Sequence, residues 1–255
     1  MISLCQRLNL RYVPSVLATL LDEARQQQLS YEALLERVLS AELSGRQQQA
    51  HERRVRAARL PLPSRIETFD FRFQPSISER LIRELASLTF LQTATNVVLL
   101  GPPGVGKTHL ACAVARCALD AGHSVLFVTL RELSQQLAAP LPRGGAAALR
   151  RYSQPTLLII DEIGYTTLSR LQAEGLFELI ATRYTLHATI VTSNLTFAEW
   201  GRLLGDEVLA SALLDRLLHH AEIVTINGRS YRMRQRMGTD QPSEGAAARG
   251  SLAVG

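Results

Sequence analysis

The octet Gly101-Pro102-Pro103-Gly104-Val105-Gly106-Lys107-Thr108 fits the pattern G-x-x-x-x-G-K-[ST], and it constrains this chain more than any other feature. Such a loop works only between a buried strand and the start of a helix, where backbone N–H groups and the helix dipole can face an anion. The flanks agree. The apolar run Val97–Leu100 precedes the loop, and the helical pattern HLACAVARCAL follows it. The glycines let the backbone turn inward around phosphates, Lys107 supplies a compact cation for the β and γ oxygens, and Thr108 offers a hydroxyl to Mg²⁺. Pro102, Pro103, Val105 and the next residue, His109, complete the candidate ATP-binding segment. Of 28 basic residues, 27 are Arg, and the single Lys is Lys107. A guanidinium does not replace a point charge on phosphate, so this lysine is placed by chemistry and not by composition.

A second apolar run, Leu157–Ile160, ends in Asp161 and Glu162. Ligands of open α/β sheets bind beyond the C-terminal ends of the strands, where these two acids would lie. Asp161 is the candidate Mg²⁺ ligand, and Glu162 the base that orients and polarises an attacking water. A base beside the metal ligand favours hydrolysis over transfer to an acceptor hydroxyl. A third run, Thr189–Thr192, ends in Ser193 and Asn194. Asn194 can hydrogen-bond a γ-phosphate or the attacking water, and Thr196 can cap a helix over Phe197–Leu204.

With Val125–Val128 and Ile223–Ile226 there are five short apolar runs separated by helical patterns. Runs this apolar imply a parallel sheet covered on both faces, hence an α/β fold. Ahead of them, helices are expected over 14–28, with Pro14 in the first turn, and from an N-cap at Ser30 to the breakers Pro61 and Pro63. Ser76 with Glu79 reads as a capping box opening a helix through Leu88. Phe69, Phe71 and Phe73 alternate like an extended linker pinned by one aromatic face. The chain thus divides into a helical module (1–60), a linker and leading helix (61–95), a nucleotide-binding core (96–237) and a tail (238–255) rich in Gly, Ala and Ser. No 18-residue apolar run exists, the N-terminus lacks a secretory pattern, and three cysteines show no metal spacing, so a cytoplasmic protein without a membrane partner is expected.

The order GPPGVGKTH, LLIIDEIGY, TSN, LLDRLLHH and SYR resembles the AAA+ ATPases of the helicase-loader and initiator clade. With LSYEALLERVLSAEL, SNLTFAEWG and ALLDRLLHHAEIVTINGRSYR added, residues 4–236 are most similar to the IstB-like transposition helper ATPases. The resemblance implies an AAA+ fold with a five-stranded parallel sheet in which the Asn194 strand lies between the other two motif strands. It also implies two helices packed in a V where residues 138–145 (AAPLPRGG) stand, and a C-terminal helical lid; here this chain departs from the clade, its lid being short, with only about a dozen residues between Ile226 and the tail. It implies an ATPase that binds DNA, self-assembles with ATP and recruits or stimulates a partner transposase. Arg216, in D-R-L, then takes the place of an arginine finger acting on a neighbour's γ-phosphate, and Arg232, in SYR, that of a second sensor.

The chain's formal charge is +5, and residues 44–65 hold six arginines against one glutamate. Arg53, Arg54, Arg56 and Arg59 in that stretch are candidate contacts to DNA phosphates, with Arg143, Arg150 and Arg151 as a second group. A solvated helix is the other reading of such a run. No base-reading motif is present, so duplex binding with little sequence preference is expected. Arg183 reads as a subunit contact or a helix-end charge, His219 and His220 as helix-end residues, and Trp200 as packing. A replicative helicase loader and a slowly hydrolysing DNA-wrapping protein remain as alternatives.

Overall fold

A computed structural model describes residues 2–138 and 145–233. Helices α1 (Ile2–Arg7), α2 (Val13–Gln27) and α3 (Tyr31–Ala58) come first, then α4 (Glu79–Ala86) and α5 (Thr89–Gln92). Next are β1 (Asn96–Leu100), α6 (Lys107–Asp120), β2 (Val125–Thr129), α7 (Leu130–Leu137), α8 (Gly145–Ser153) and β3 (Leu157–Ile163). The chain continues through α9 (Arg170–Arg183), β4 (Ala188–Ser193), α10 (Trp200–Leu204), α11 (Glu207–Leu218) and β5 (Ala221–Thr225). All five sequence-predicted strands form, in one parallel sheet of order β2-β3-β4-β1-β5. β4 lies between β1 and β3, as the resemblance implied.

Strand alternation explains the two-sided core. Val97, Leu99, Leu157 and Ile159 face one layer with α4 and α6, while Val98, Leu158 and Ile160 face the other with α7, α9 and α11. Both faces are apolar around the inner strands, which therefore read as hydrophobic runs, whereas the edge strand β5 leaves Glu222 and Ile223 exposed. Trp200 packs in the second layer. Two helices, α7 and α8, flank that segment and pack against each other, while residues 139–144 between them lie outside the described residues. The expected tail over 238–255 also lies outside them.

Ser30 caps α3, its hydroxyl accepting from Ala33 N–H. Buried Glu42 on α3 reaches back to the start of α2, where helix geometry leaves N–H groups without partners. It accepts from the N–H groups of Arg11, Tyr12 and Val13 and from Arg46 Nε. The far end of α3 lies on the sheet layers, with Ala58 fully buried in the first core layer beside Val55 and Leu60.

Three expectations are corrected. The cap of α4 is Ser78, whose hydroxyl accepts from Leu81 N–H, and not Ser76, whose hydroxyl takes Asn227 N–H beyond β5. That helix ends at Ala86 because Leu88 turns left-handed, φ +66°. The Phe69–Phe73 segment is not extended: Phe73 N–H turns back to Asp70, Phe69 meets Phe71 edge-on at 4.9 Å, and Phe73 meets Tyr231 instead.

Candidate nucleotide site and basic surface

The loop between β1 and α6 forms one wall of a cavity of ≈ 370 Å³. Gly104 and Gly106 have φ of +82° and +106°, where side chains are strained. A Cβ at Gly106 would sit 2.6 Å from the Phe69 ring, and one at Gly104 2.2 Å from Ser230 Oγ. The linker and the chain after β5 therefore close onto the loop, and Tyr231 N–H donates to Gly104 O. His109 joins the same closure, its Nε2 within 3.3 Å of Thr68 Oγ1 and 3.2 Å of Arg65 O.

Lys107 Nζ donates to Gly101 O at 2.6 Å and Pro102 O at 2.8 Å, which leaves one of its three N–H groups for an oxygen in the cavity. Burial pushes its pKa below the ordinary lysine value; Asp161 pulls it back up and Arg232 adds to the lowering. Thr108 Oγ1 donates to both oxygens of the Asp161 carboxylate, at 3.0 and 3.1 Å. A hydroxyl and a buried carboxylate at the strand ends make a hard-oxygen donor set that suits Mg²⁺. Glu162 follows at φ +64° and lines the cavity with Asn194, whose buried Oδ1 has no partner among the described residues. The cradle, the cation, the oxygen pair and the orphaned amide oxygen fit a magnesium-bound nucleoside triphosphate. Of the sequence-predicted site residues, Pro103, Gly104, Val105, Gly106, Lys107, Thr108, His109, Glu162, Asn194 and Arg232 line this one cavity. Sequence reasoning missed Phe69, Asp70, Tyr165 and Tyr231, which also line it, and Thr192, a strand-end threonine that looked ordinary.

Arg216 lies elsewhere. It sits in the last turn of α11, its guanidinium 4.4 Å over the Phe177 ring, in a crevice with Asn96 and His220. Asn96 begins β1 whereas the loop follows its end, so about 15 Å of strand separates Arg216 from the cavity.

The arginine groups are joined by a relay of polar side chains. Arg59 Nη1 donates to Glu132 Oε1, which also takes Gln136 Nε2; Gln136 Oε1 takes Tyr152 Oη and Arg151 Nη1. The end of α3 is thereby linked through α7 to α8. Arg53, Arg56 and Arg150 are exposed, whereas Arg54 is half-buried with its guanidinium near Gly122. Arg143 lies outside the described residues. Arg183 is a helix-end charge, the last residue of α9, but it is turned into the interior and presents nothing to a subunit contact. It is buried and donates to the carbonyls of Tyr152, Ser153, Pro155 and Ala188 and to Thr189 Oγ1. Burial pushes its pKa down to about 9, still above neutral pH.

A family model described as IstB-like ATP binding protein matches residues 3–239. An insertion sequence IS21 ATP-binding protein of Pseudomonas aeruginosa is 44% identical over 91% of this chain and 88% of that protein. An insertion sequence IS5376 ATP-binding protein of Geobacillus stearothermophilus is 42% identical over 91% and 93%. Among solved structures, the DnaC helicase loader superposes with a TM-score of 0.50 at 25% identity, covering 58% of this chain and 88% of that one. AMPPCP-bound DnaA from Aquifex aeolicus gives 0.55 at 18% identity, covering 74% and 58%.

Proposed function

Since the chain belongs to the IstB-like ATP-binding proteins of insertion sequences, we propose that it is an ATPase that assembles on target DNA with ATP and recruits or stimulates the transposase of its element. One observation carries the chemistry: Lys107, Thr108, Asp161, Glu162 and Asn194 converge at the C-terminal edge of the sheet around one cavity. Lys107 binds the β and γ oxygens, Thr108 and Asp161 hold Mg²⁺, Glu162 takes the proton of the attacking water, and Asn194 orients that water or the γ-phosphate. Magnesium, when bound, neutralises charge on the phosphates. Arg216 serves the neighbouring subunit, because its own cavity is out of reach, and so makes hydrolysis depend on assembly. Arg232, on the cavity wall, faces the same phosphates as a second sensor.

DNA runs along the exposed arginines of α3 and α8, held by phosphate contacts without base readout. The fold is shared with helicase loaders, so it does not separate the two activities; the relatives that match nine-tenths of this chain bear insertion-sequence names. The test is phosphate release and sedimentation of the purified protein with ATP, with and without random-sequence duplex. Turnover and fast-sedimenting DNA complexes that both require ATP support the reading. A protein that binds duplex equally well with or without nucleotide and releases no phosphate is instead a passive DNA-wrapping protein.

A further inference from the structure

We infer that Thr192 is a positioning residue for hydrolysis, its one hydroxyl setting both the Asp161 carboxylate and the peptide that carries Glu162. This deepens the proposed ATPase function and rests on it. Strands β3 and β4 pair regularly from Leu157↔Ala188 to Ile160↔Val191, but the next pair is Ile163↔Ser193. Asp161 and Glu162 together therefore oppose Thr192 alone, which is a bulge with one residue outside the ladder. At this bulge Glu162 is left-handed, a conformation that a residue other than glycine keeps only when its surroundings enforce it.

Thr192 supplies the enforcement. It is buried, its O–H donates to Asp161 Oδ1, and its oxygen accepts the Glu162 N–H at 3.1 Å. A hydroxyl has a single proton, and a carboxylate and an amide have fixed roles, so neither bond can reverse. Valine has the same shape and suits a buried strand equally well, but it would leave the buried Asp161 carboxylate and the part-buried Glu162 N–H each short of a partner. The other hydroxyls of β4 are used differently: Thr189 takes Arg183, and Ser193 bonds the Leu195 backbone. Two residues beyond Thr192, Asn194 enters the same cavity. The end of β4 thus fixes the metal-holding acid and the base while presenting the group that meets the phosphate or water.

The experiment compares the full-length wild type with Thr192→Val, Thr192→Ser, Glu162→Gln and the Thr192→Val/Glu162→Gln double variant. It reads thermal midpoint, affinity for a non-hydrolysable ATP analogue across a magnesium titration, and steady-state phosphate release. Thr192→Val is expected to bind the analogue normally at saturating magnesium, to need more magnesium for half-maximal binding, and to lose ~10-fold or more in kcat with KM little changed. Thr192→Ser restores most of the rate. In the Glu162→Gln background the valine change costs less than about 2-fold, because the group it acts through is already gone. Thr192→Ala stands in if the valine variant does not fold. A Thr192→Val rate within about 2-fold of wild type, or an equal loss in both backgrounds, overturns the inference. Near-normal turnover by Glu162→Gln alone overturns the base reading and, with it, action through that base; the Thr192 arm by itself reports the clamp.

Discussion

In the proposed ATPase, Lys107 and Glu162 divide the work of the site, and their variants should separate binding from chemistry. Lys107→Ala removes the cation in the cradle, so ATP affinity falls and hydrolysis is lost; titration with a fluorescent ATP analogue measures the first and phosphate release the second. Glu42 makes a prediction of a different kind. Burial pushes its carboxyl up, but Arg46 and the N–H groups of Tyr12, Arg11 and Val13 outweigh that and hold it at about 2. The folded-state pKa lies below the unfolded one, so this stabilisation is complete above the ordinary carboxylate range and is lost as pH falls through about 4.5 toward 2. The α2–α3 hairpin should therefore loosen in acid, seen as amide exchange at Arg11–Val13 rising over that window in wild type. In Glu42→Gln that exchange should be fast already at neutral pH.

At the level of elements, α3 couples the N-terminal hairpin to the sheet and carries the arginines. Arg53 and Arg56 on it are exposed and without a partner among the described residues, whereas Arg54 is half-buried and Arg59, just past its end, is paired with Glu132. Arg53→Ala with Arg56→Ala should weaken duplexes of any sequence alike and shrink the slope of log affinity against log salt by up to about 1.8. An unchanged slope would move the DNA to α8. Arg183, at the end of α9, is the structural counterpart that holds the end of α8: Arg183→Leu strands four carbonyls and should cost roughly 3 kcal/mol or more, read as a lower denaturant midpoint. The sequence could not distinguish that role, because an arginine near a helix end reads the same whether it is solvated or turned into the interior. Ser76 was misread for a similar reason, as the S-x-x-E spacing fits it while the chain after β5 claims its hydroxyl. The five strands and the loop were legible because strong local patterns and long-range packing agree there. Thr192 was not, since its meaning depends on a bulge that exists only once β3 and β4 are paired.

For the whole molecule, the proposed chemistry is split between subunits. Arg216 stands at the opposite edge of the sheet from the loop that precedes Lys107, so Arg216→Ala should bind ATP normally and hydrolyse slowly, by ~10³-fold or more if it acts as arginine fingers do elsewhere. Mixing Arg216→Ala with Lys107→Ala should recover part of the activity, because some interfaces then pair an intact arginine with an intact loop; mixed assemblies as inactive as their parents would place Arg216 outside the chemistry. None of the described helices is long and apolar enough to cross a membrane, and the exposed arginines of α3 and α8 are the surface proposed to meet DNA. The central claim is the proposed assembly on DNA with ATP, which implies that bound ATP holds the protein there and that hydrolysis through Glu162 releases it. The most direct measurement follows Glu162→Gln and wild type on the same duplex after ATP addition, recording phosphate release and the lifetime of the DNA complex together. Glu162→Gln is expected to assemble as wild type does, release phosphate only at a small residual rate and stay on the DNA, while wild type dissociates as ATP is consumed. Turnover by Glu162→Gln at the wild-type rate, or a complex whose lifetime ignores the substitution, would contradict that claim.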